Sequence, residues 1–362
     1  ETDFVTAEGA ITVIDFMSLG ASGSHLARIV VGRRGRVRVR TELALRFDYG
    51  FAMPWMTRLD NGRLRAVAGP DMVVLDTPVE LRVQRHSAIA EFEVSQGDRV
   101  PLVLMHSASH REPPAPIDAL ESLRATECFW KAWADRCQAK NEWSDAVRRS
   151  LITLKALTYA PTGGIVAAPT TSLPECLGGA RNWDYRYCWL RDATLTLLAL
   201  MNAGYRDEAS AWREWLLRAA AGDPEHMQIM YGIAGVRLLP ESELTWLPGY
   251  ENSKPVRIGN AASEQRQLDV YGEVMDALHQ GRKIGIEPSD FAWELQCALA
   301  AHLEKIWQEP DEGLWEVRGP QRHFTYSKVM CWVAFDRVIR AAEQFGRSGP
   351  VERWKRIRAQ IH

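Results

Sequence analysis

Aromatic and charged side chains are concentrated between residues 182 and 192, in the run Asn-Trp-Asp-Tyr-Arg-Tyr-Cys-Trp-Leu-Arg-Asp. Aromatic rings pack against the C–H face of a sugar, while guanidinium and carboxylate groups hydrogen-bond neighbouring hydroxyls in pairs. The density of such groups favours a ligand site over simple packing. The candidate sugar contacts in this run are Trp183, Tyr185, Trp189, Arg191 and Asp192. A local alternative is that Asp192 caps the helix that follows, with Arg191 as its surface ion-pair partner.

A second polar loop, between residues 246 and 269, contributes three further substrate-binding candidates, Arg257, Gln267 and Asp269. Glycine and proline are frequent in it, and such loops need polar side chains to satisfy their own backbone groups. Any single polar residue here is therefore more often structural than functional. Asp269 in particular could simply cap the next helix.

Glu316 stands between Trp315 and Val317 in a third loop, residues 311–319. A carboxylic acid beside a large apolar ring loses solvation, which raises its pKa and allows it to hold a proton near neutral pH. A general acid needs that property in order to protonate a leaving glycosidic oxygen. A lone glutamate beside tryptophan is more often a surface carboxylate, so the local pattern leaves both interpretations open. Trp315 is a further candidate sugar contact.

Across these loops the sequence resembles glycoside hydrolase family 15, and more specifically its bacterial glucoamylase-like and trehalase branch. The segments that carry the resemblance are 170–175, 178–192, 255–272 and 313–334, with 13–17 and 46–50 in the N-terminal part. The resemblance implies that Arg191 and Asp192 bind hydroxyls of the non-reducing glucose. It also implies that Glu316, in the motif Leu314-Trp315-Glu316, is the general acid. Fungal members have a second glutamate where this chain has Val317, so that contact does not carry over.

The resemblance also implies more β strands before residue 1 and more helices after residue 362, with the general base in the C-terminal part. An inverting glycosidase needs two carboxyl groups about 6.5–9.5 Å apart. Glu175, Asp184 and Glu264 are carboxylates in the right loops, but none matches the family's base. Both ends of the chain look cut, although trimmed tails would give the same pattern. We expect these residues alone to be inactive or nearly so.

The first functional hypothesis is therefore an inverting, exo-acting, glucoamylase-like α-glucoside hydrolase, with an oligosaccharide or disaccharide as its substrate. Trehalase of the same family is the near alternative, since it differs mainly in the aglycone subsite. A sugar phosphorylase would need a basic phosphate pocket in place of the base. A non-catalytic carbohydrate-binding fragment is the alternative from another class. The hydrolytic chemistry requires no metal or organic cofactor.

The periodicity of the chain changes near a proline-rich link at residues 111–116. Residues before it contain short alternating runs and turns, which are typical of an antiparallel sandwich. Residues after it have helical periodicity at 117–137, 143–160, 192–203, 206–221, 269–281, 289–306, 327–346 and 350–362. The predicted fold class is α+β multidomain. It combines a partial β-sandwich (1–110), a linker with its helix (111–140) and a partial (α/α)6 barrel (141–362).

Composition limits the partners. The 362 residues carry a formal net charge of -2, which gives no electrostatic reason to expect nucleic acid or an anionic membrane. Arginines at 33, 34, 36, 38 and 40 are spaced as the solvent face of a strand. Six scattered cysteines without a CxxC pair argue against zinc and favour reduced thiols in a cytoplasm, although their even number leaves a disulfide open. No signal peptide or membrane-length apolar run is present, and oligomeric state stays open.

Overall fold

The computed structural model describes residues 1–19, 23–84, 86–220, 224–286 and 289–362. It contains two compact units, Glu1–Trp133 and Ala134–His362, and each has its own hydrophobic core. The first unit is largely an antiparallel sheet and the second is largely helical. These observations confirm a mixed α/β chain, while the finer description as a sandwich followed by a barrel stays a prediction.

The first unit is built on one antiparallel sheet with the order β1-β2-β3-β9-β6-β5-β4, to which β8 and β7 are added through β3. The described strands are β1 (Thr2–Val5), β2 (Gly9–Met17), β3 (Ser24–Leu43), β4 (Trp55–Arg58), β5 (Leu64–Ala68), β6 (Asp71–Asp76), β7 (Arg82–Gln84), β8 (Ser87–Ser95) and β9 (Arg99–Ala108). Helix α1 (Ala119–Ala134) follows them, and its Ala119 packs on the side of the sheet that holds Ile29 and Val74.

Strand β3 has different partners along its length. Residues 24–31 pair with β9, whereas residues 36–43 pair with β8. Between them, a Cβ at Gly32 would lie 1.9 Å from the carbonyl oxygen of Ser95, so only glycine allows the two backbones to approach there. The exposed arginines of β3 form cross-strand ion pairs, including Arg36–Glu93 at 3.1 Å and Arg38–Glu91 at 2.7 Å. The prediction that they occupy the solvent face of a strand is confirmed.

The second unit contains seven described helices and two small antiparallel pairs. The helices are α2 (Ser144–Ala156), α3 (Leu190–Asn202), α4 (Arg206–Ala219), α5 (Asp269–Lys283), α6 (Asp290–Ile306), α7 (Thr325–Phe345) and α8 (Val351–Ile361). The pairs are β10 (Cys188–Trp189) with β11 (Met230–Tyr231), and β12 (Ser242–Glu243) with β13 (Arg257–Ile258). Ser289 caps α6 by accepting from the Ala292 N–H, as its position before the helix predicts.

Helix α5 is the central element of this unit. Eleven of its fifteen residues are buried, a pattern expected only of a helix that is covered on most sides. A Cβ at Gly272 would lie 2.2 Å from the carbonyl oxygen of Met330, so glycine permits α5 to approach α7 closely. The first turn of α5 is joined to the first turn of α3 by the ion pair between Asp269 and Arg191, at 3.0 Å.

Candidate active site

A cavity of about 440 Å³ is formed where the three polar loops meet the start of α3. Seven of the residues predicted from sequence line it: Trp183, Tyr185, Trp189, Arg191, Asp192, Trp315 and Glu316. Glu175, Arg181, Asn260, Leu314 and Arg318 are also in its wall. The cavity therefore combines aromatic rings, guanidinium groups and carboxylates, which is the mixture that sugar binding requires.

Glu316 is held by two donors at the wall of this cavity. Trp189 Nε1 donates to Glu316 Oε1 at 2.6 Å, and Arg191 Nη2 lies 3.5 Å from the same oxygen. Burial raises the pKa of Glu316, and the hydrogen bond from Trp189 and the charge of Arg191 oppose that effect. A raised pKa favours the protonated acid, which is the form that can donate a proton.

The ring that contacts the carboxyl group of Glu316 is that of Trp189. The sequence neighbour, Trp315, lines the cavity but is 77% exposed. The desolvation of Glu316 predicted from Trp315 is therefore present, but the hydrogen-bonded contact comes from Trp189, 127 positions before Glu316. Glu316 also has a positive φ of 52°, in the left-handed region. Such a conformation costs a non-glycine residue about 1–3 kcal/mol and is often found at functional sites.

Arg191 is the cation at the centre of the site. Its Nη1 donates to Gln267 Oε1 and to Asp269 Oδ2, both at 3.0 Å, and its side chain is only 17% exposed. Asp269 is fully buried, and its Oδ1 has no hydrogen-bond partner among the described residues. Gln267 borders a neighbouring cavity of about 510 Å³ rather than the one that Glu316 lines. The structure thus places Gln267 and Asp269 behind Arg191, as its supports.

Asp192 lies in the first turn of α3 and not at its cap, because the helix begins at Leu190 after Trp189. The local alternative of a capping aspartate with a surface arginine therefore does not describe this pair. Asp192 is an exposed residue of the cavity wall; desolvation of its carboxyl group by the surrounding protein raises its pKa, and the neighbouring charge of Arg191 opposes that effect. Asp192 and Arg191 together present a carboxyl group and a guanidinium group to the same cavity.

Trp183 lies against two guanidinium groups. The Cζ atoms of Arg257 and Arg318 are 4.5 and 4.0 Å from the centre of its ring, distances typical of cation–π contacts. Glu241 binds both arginines: Arg318 donates to its two oxygens at 2.9 and 2.6 Å, and Arg257 Nε is 3.6 Å away. Arg257, a predicted substrate contact, thus supports Trp183 and is not part of the cavity wall described above.

The three loop carboxylates that the sequence analysis compared with the family's base, Glu175, Asp184 and Glu264, lie in different surroundings. Asp184 is fully buried and accepts from Arg186 at 2.9 and 2.7 Å, and Glu175 pairs with Arg181 at 2.8 Å on the cavity wall. Glu264 borders the neighbouring cavity instead. Sequence reasoning missed Arg318 and Glu241. Arg318 had an available signal, since it lies two residues after Glu316 in the same loop.

Within the ranges that the structure describes, no three His, Cys, Asp or Glu side chains are grouped to hold a metal ion. In the same ranges no helix combines the length and apolar character needed to cross a bilayer.

The cavity combines a half-buried carboxyl group, a central arginine and aromatic walls, and similarity to known sequences identifies the family of the chain. The chain belongs to glycosyl hydrolases family 15, whose model matches residues 142–362. The family predicted from the sequence is thereby confirmed, including the segments 178–192, 255–272 and 313–334, which all fall within that match.

The chain is similar to proteins named trehalase. It is 39% identical over 304 residues to one from Mycolicibacterium smegmatis, a match that covers 82% of this chain and 45% of the relative. It is 32% identical over 325 residues to one from Thermoplasma acidophilum, covering 90% of this chain and 55% of the relative. The chain therefore spans about half the length of the curated relatives it matches.

A solved structure described as "Putative kojibiose phosphorylase from human microbiome" has a TM-score of 0.51 with this chain at 8% identity. The match covers 99% of this chain and 54% of that one. At this identity it shows a shared fold and no more.

Proposed function

We propose that these residues form part of a family 15 trehalase, which hydrolyses an α-glucosidic disaccharide with inversion. The observation that carries the proposal is Glu316, a half-buried carboxyl group with a raised pKa that lines a sugar-sized cavity. The family supports glycoside hydrolysis, and the names of the relatives support trehalose over the maltooligosaccharides of the glucoamylase-like interpretation. The first hypothesis from sequence therefore becomes the second candidate.

In this proposal Glu316 protonates the glycosidic oxygen, and Arg191 and Asp192 bind hydroxyls of the glucose that is released with inversion. Trp183, Tyr185 and Trp315 offer apolar surface to the sugar rings. Inversion needs a second carboxylate that activates water about 6.5–9.5 Å away. None of Glu175, Asp184 and Glu264 matches the family's base, so we assign the base, in agreement with the resemblance, to residues outside 1–362. An isolated chain of these residues is then expected to bind sugar and to turn it over very slowly.

The proposal includes the wider architecture and setting of the protein. We propose that the first unit is part of a β-sandwich and that α2–α8 are part of an (α/α)6 barrel, since the family match and the fold neighbour both support that arrangement. We also propose a cytoplasmic location, which the six free thiols support.

The role of Glu316 is tested by Glu316→Gln in the natural protein that carries this sequence, with trehalose as substrate. Removal of a general acid lowers turnover by about 10²–10⁴-fold, while glucose binding measured by calorimetry should change little, because Gln preserves size and hydrogen bonding. Glu294→Gln, at an exposed position of α6, is the matched control. Turnover of Glu316→Gln at the wild-type rate would exclude Glu316 as the acid.

The substrate is tested by comparing trehalose, maltose and maltotriose. Preference for trehalose supports the proposal, and preference for maltotriose supports the glucoamylase-like candidate. Release of glucose 1-phosphate that depends on added phosphate would indicate a phosphorylase. Tight sugar binding without any turnover by the natural protein would favour a non-catalytic role.

A further inference from the structure

Another buried carboxyl group, Glu273, lies one helical turn after Asp269 on α5 and is only 6% exposed. It contacts two hydroxyl groups from other helices. Tyr326 Oη, on α7, lies 2.5 Å from Glu273 Oε1, and Thr194 Oγ1, on α3, lies 3.0 Å from Glu273 Oε2. Glu273 therefore connects three helices directly behind the catalytic cavity.

No arginine, lysine or histidine nitrogen lies within ion-pair distance of Glu273 among the residues that the structure describes. Arg191, the cation whose charge acts on Glu273, is already bound to Asp269 and approaches Glu316. A buried carboxylate without a cationic partner is costly, and such groups commonly remain protonated.

The hydrogen bonds around Thr194 point in the same direction. Thr194 Oγ1 lies 2.8 Å from the carbonyl oxygen of Arg191 and 3.0 Å from Glu273 Oε2. A hydroxyl group has one proton to donate, so it cannot satisfy both a carbonyl and an ionised carboxylate. If Glu273 carries a proton, the carboxyl group donates to Thr194, and Thr194 donates to the Arg191 carbonyl. Tyr326 then donates to the remaining oxygen of Glu273, and every contact is satisfied.

We propose that Glu273 is a neutral positioning residue of this site: through Thr194 it holds the first turn of α3, from which Arg191 and Asp192 enter the cavity. The assignment of a proton to Glu273 is independent of the substrate. Its catalytic consequence rests on the proposed function, in which Arg191 and Asp192 must be held in a fixed position beside Glu316.

The charged and titratable groups that surround Glu273 are consistent with this assignment. Arg191 faces it from α3, Asp269 precedes it on α5, and Tyr326 faces it from α7. Burial raises the pKa of Glu273 most, and the negative charge of Asp269 raises it further, while the hydroxyl donors and Arg191 oppose them. A raised pKa in the folded state means that stability is full below the unfolded pKa of 4.5 and is lost as pH rises toward the folded pKa.

Glu273→Gln tests the proton directly, because a glutamine amide donates to Thr194 and accepts from Tyr326 as a neutral acid would. We expect the variant to melt at the wild-type temperature or about 2–4 °C higher at pH 7–8, with the difference vanishing below the unfolded pKa of 4.5. The comparison variant is Asp269→Asn, one turn earlier, which should melt lower at pH 7 because its carboxylate pairs with Arg191. A Glu273→Gln variant that melts clearly lower than wild type at pH 7 would show that Glu273 is ionised and would overturn the proposal.

The positioning role is tested by trehalose kinetics of the natural protein. Glu273→Ala should lower kcat/KM by roughly 10- to 100-fold, as expected when catalytic groups are misplaced, and Glu273→Gln should restore most of the loss. Tyr326→Phe provides a milder variant if Glu273→Ala fails to fold. Equal losses for Gln and Ala would exclude neutral positioning. If no variant, including wild type, cleaves trehalose, the proposed function fails, and the melting experiment still decides the protonation of Glu273.

Discussion

Glu316 experiences opposing electrostatic effects. Burial favours its protonated form, whereas the N–H group of Trp189 and the charge of Arg191 favour its ionised form. A general acid needs both, because it must hold a proton at working pH and then release it to the leaving group. In the proposed mechanism, activity falls as pH rises through the pKa of Glu316, and the donors around it determine where that alkaline limb lies.

Trp189→Phe is expected to move the alkaline limb of kcat/KM to higher pH. The hydrogen bond from Trp189 Nε1 to Glu316 stabilises the carboxylate, so its removal raises the pKa of Glu316 further and keeps the acid protonated to a higher pH. Phenylalanine retains an apolar ring at this buried position, which is 2% exposed. The measurement is the pH dependence of kcat/KM on trehalose for the natural protein.

The matched control is Trp293→Phe on α6. Its Nε1 donates to the carbonyl oxygen of Ser348 at 3.0 Å, and Trp293 is not one of the residues that line the cavity of Glu316. The alkaline limb of the Trp293→Phe variant should therefore coincide with that of wild type. A limb in Trp189→Phe that moves to lower pH, or does not move while Trp293→Phe behaves as wild type, would contradict the assignment of Trp189 as donor to the acid.

At the scale of elements, the sequence predicted the helices of the site closely because their signals are local. The apolar periodicity predicted 192–203 and 289–306, and the structure has α3 at Leu190–Asn202 and α6 at Asp290–Ile306. The pairs β10–β11 and β12–β13 were not predicted, since two-residue strands are too short to show alternation. The antiparallel character of the first unit was predicted, but the change of partners along β3 depends on long-range pairing that no local pattern contains.

The site residues divide in the same way. Glu316, Arg191 and Asp192 could be named from sequence because a motif contains them. The bonds from Arg191 to Gln267 and Asp269 join residues 76 and 78 positions apart, and spacing alone does not indicate them. The sequence did contain a signal for Glu273: it follows Asp269 by one helical turn, and the residues around it in the chain are mostly apolar. A carboxyl group on a buried helix face usually has a specific partner.

The three loops are joined by Glu241, which binds Arg318 and Arg257 while both contact Trp183. We expect Glu241→Gln to reduce stability by about 1–2 kcal/mol near neutral pH, because charge-assisted hydrogen bonds are lost, and to raise KM for trehalose, because Arg318 and Trp183 line the cavity. The hydrogen bond from Arg318 lowers the pKa of Glu241. The stabilisation is therefore present above the unfolded pKa of 4.5 and is lost as pH falls through the folded value.

Chemical denaturation of the two proteins across pH measures this effect. The gap between wild type and Glu241→Gln should be full at pH 7 and should close in acid. Glu243→Gln is the control: its side chain is 54% exposed and its contact with Arg257 is 3.3 Å, so it should change stability by less than about 0.5 kcal/mol. A gap that is constant down to pH 3 would show that the charge of Glu241 is not what joins the loops.

At the scale of the whole molecule, the similarity to known proteins extends over residues of both units. The family model covers residues 142–362, which lie in the second unit. The alignments to the trehalases of M. smegmatis and T. acidophilum extend over 82% and 90% of the chain, so they also include part of the first unit. The candidate site residues described above lie in the second unit, and the alignments show that part of the β-rich unit is also shared with these relatives.

The six cysteines give a test that covers the whole chain, since all are free thiols in the structure. Cys128 and Cys176 are exposed, whereas burial raises the pKa of Cys188 and Cys331 to about 12. The thiolate is the reactive form, so a thiol reagent should label the exposed pair first and the buried pair only after unfolding. Mass spectrometry of the native and the denatured, unreduced protein checks this order, and denatured protein should show six reactive thiols.

Cys176→Ser should remove one rapidly labelled site, and Cys331→Ser should leave the rapid phase unchanged. Fewer than six thiols in denatured, unreduced protein would reveal a disulfide and would argue against the reducing location proposed above.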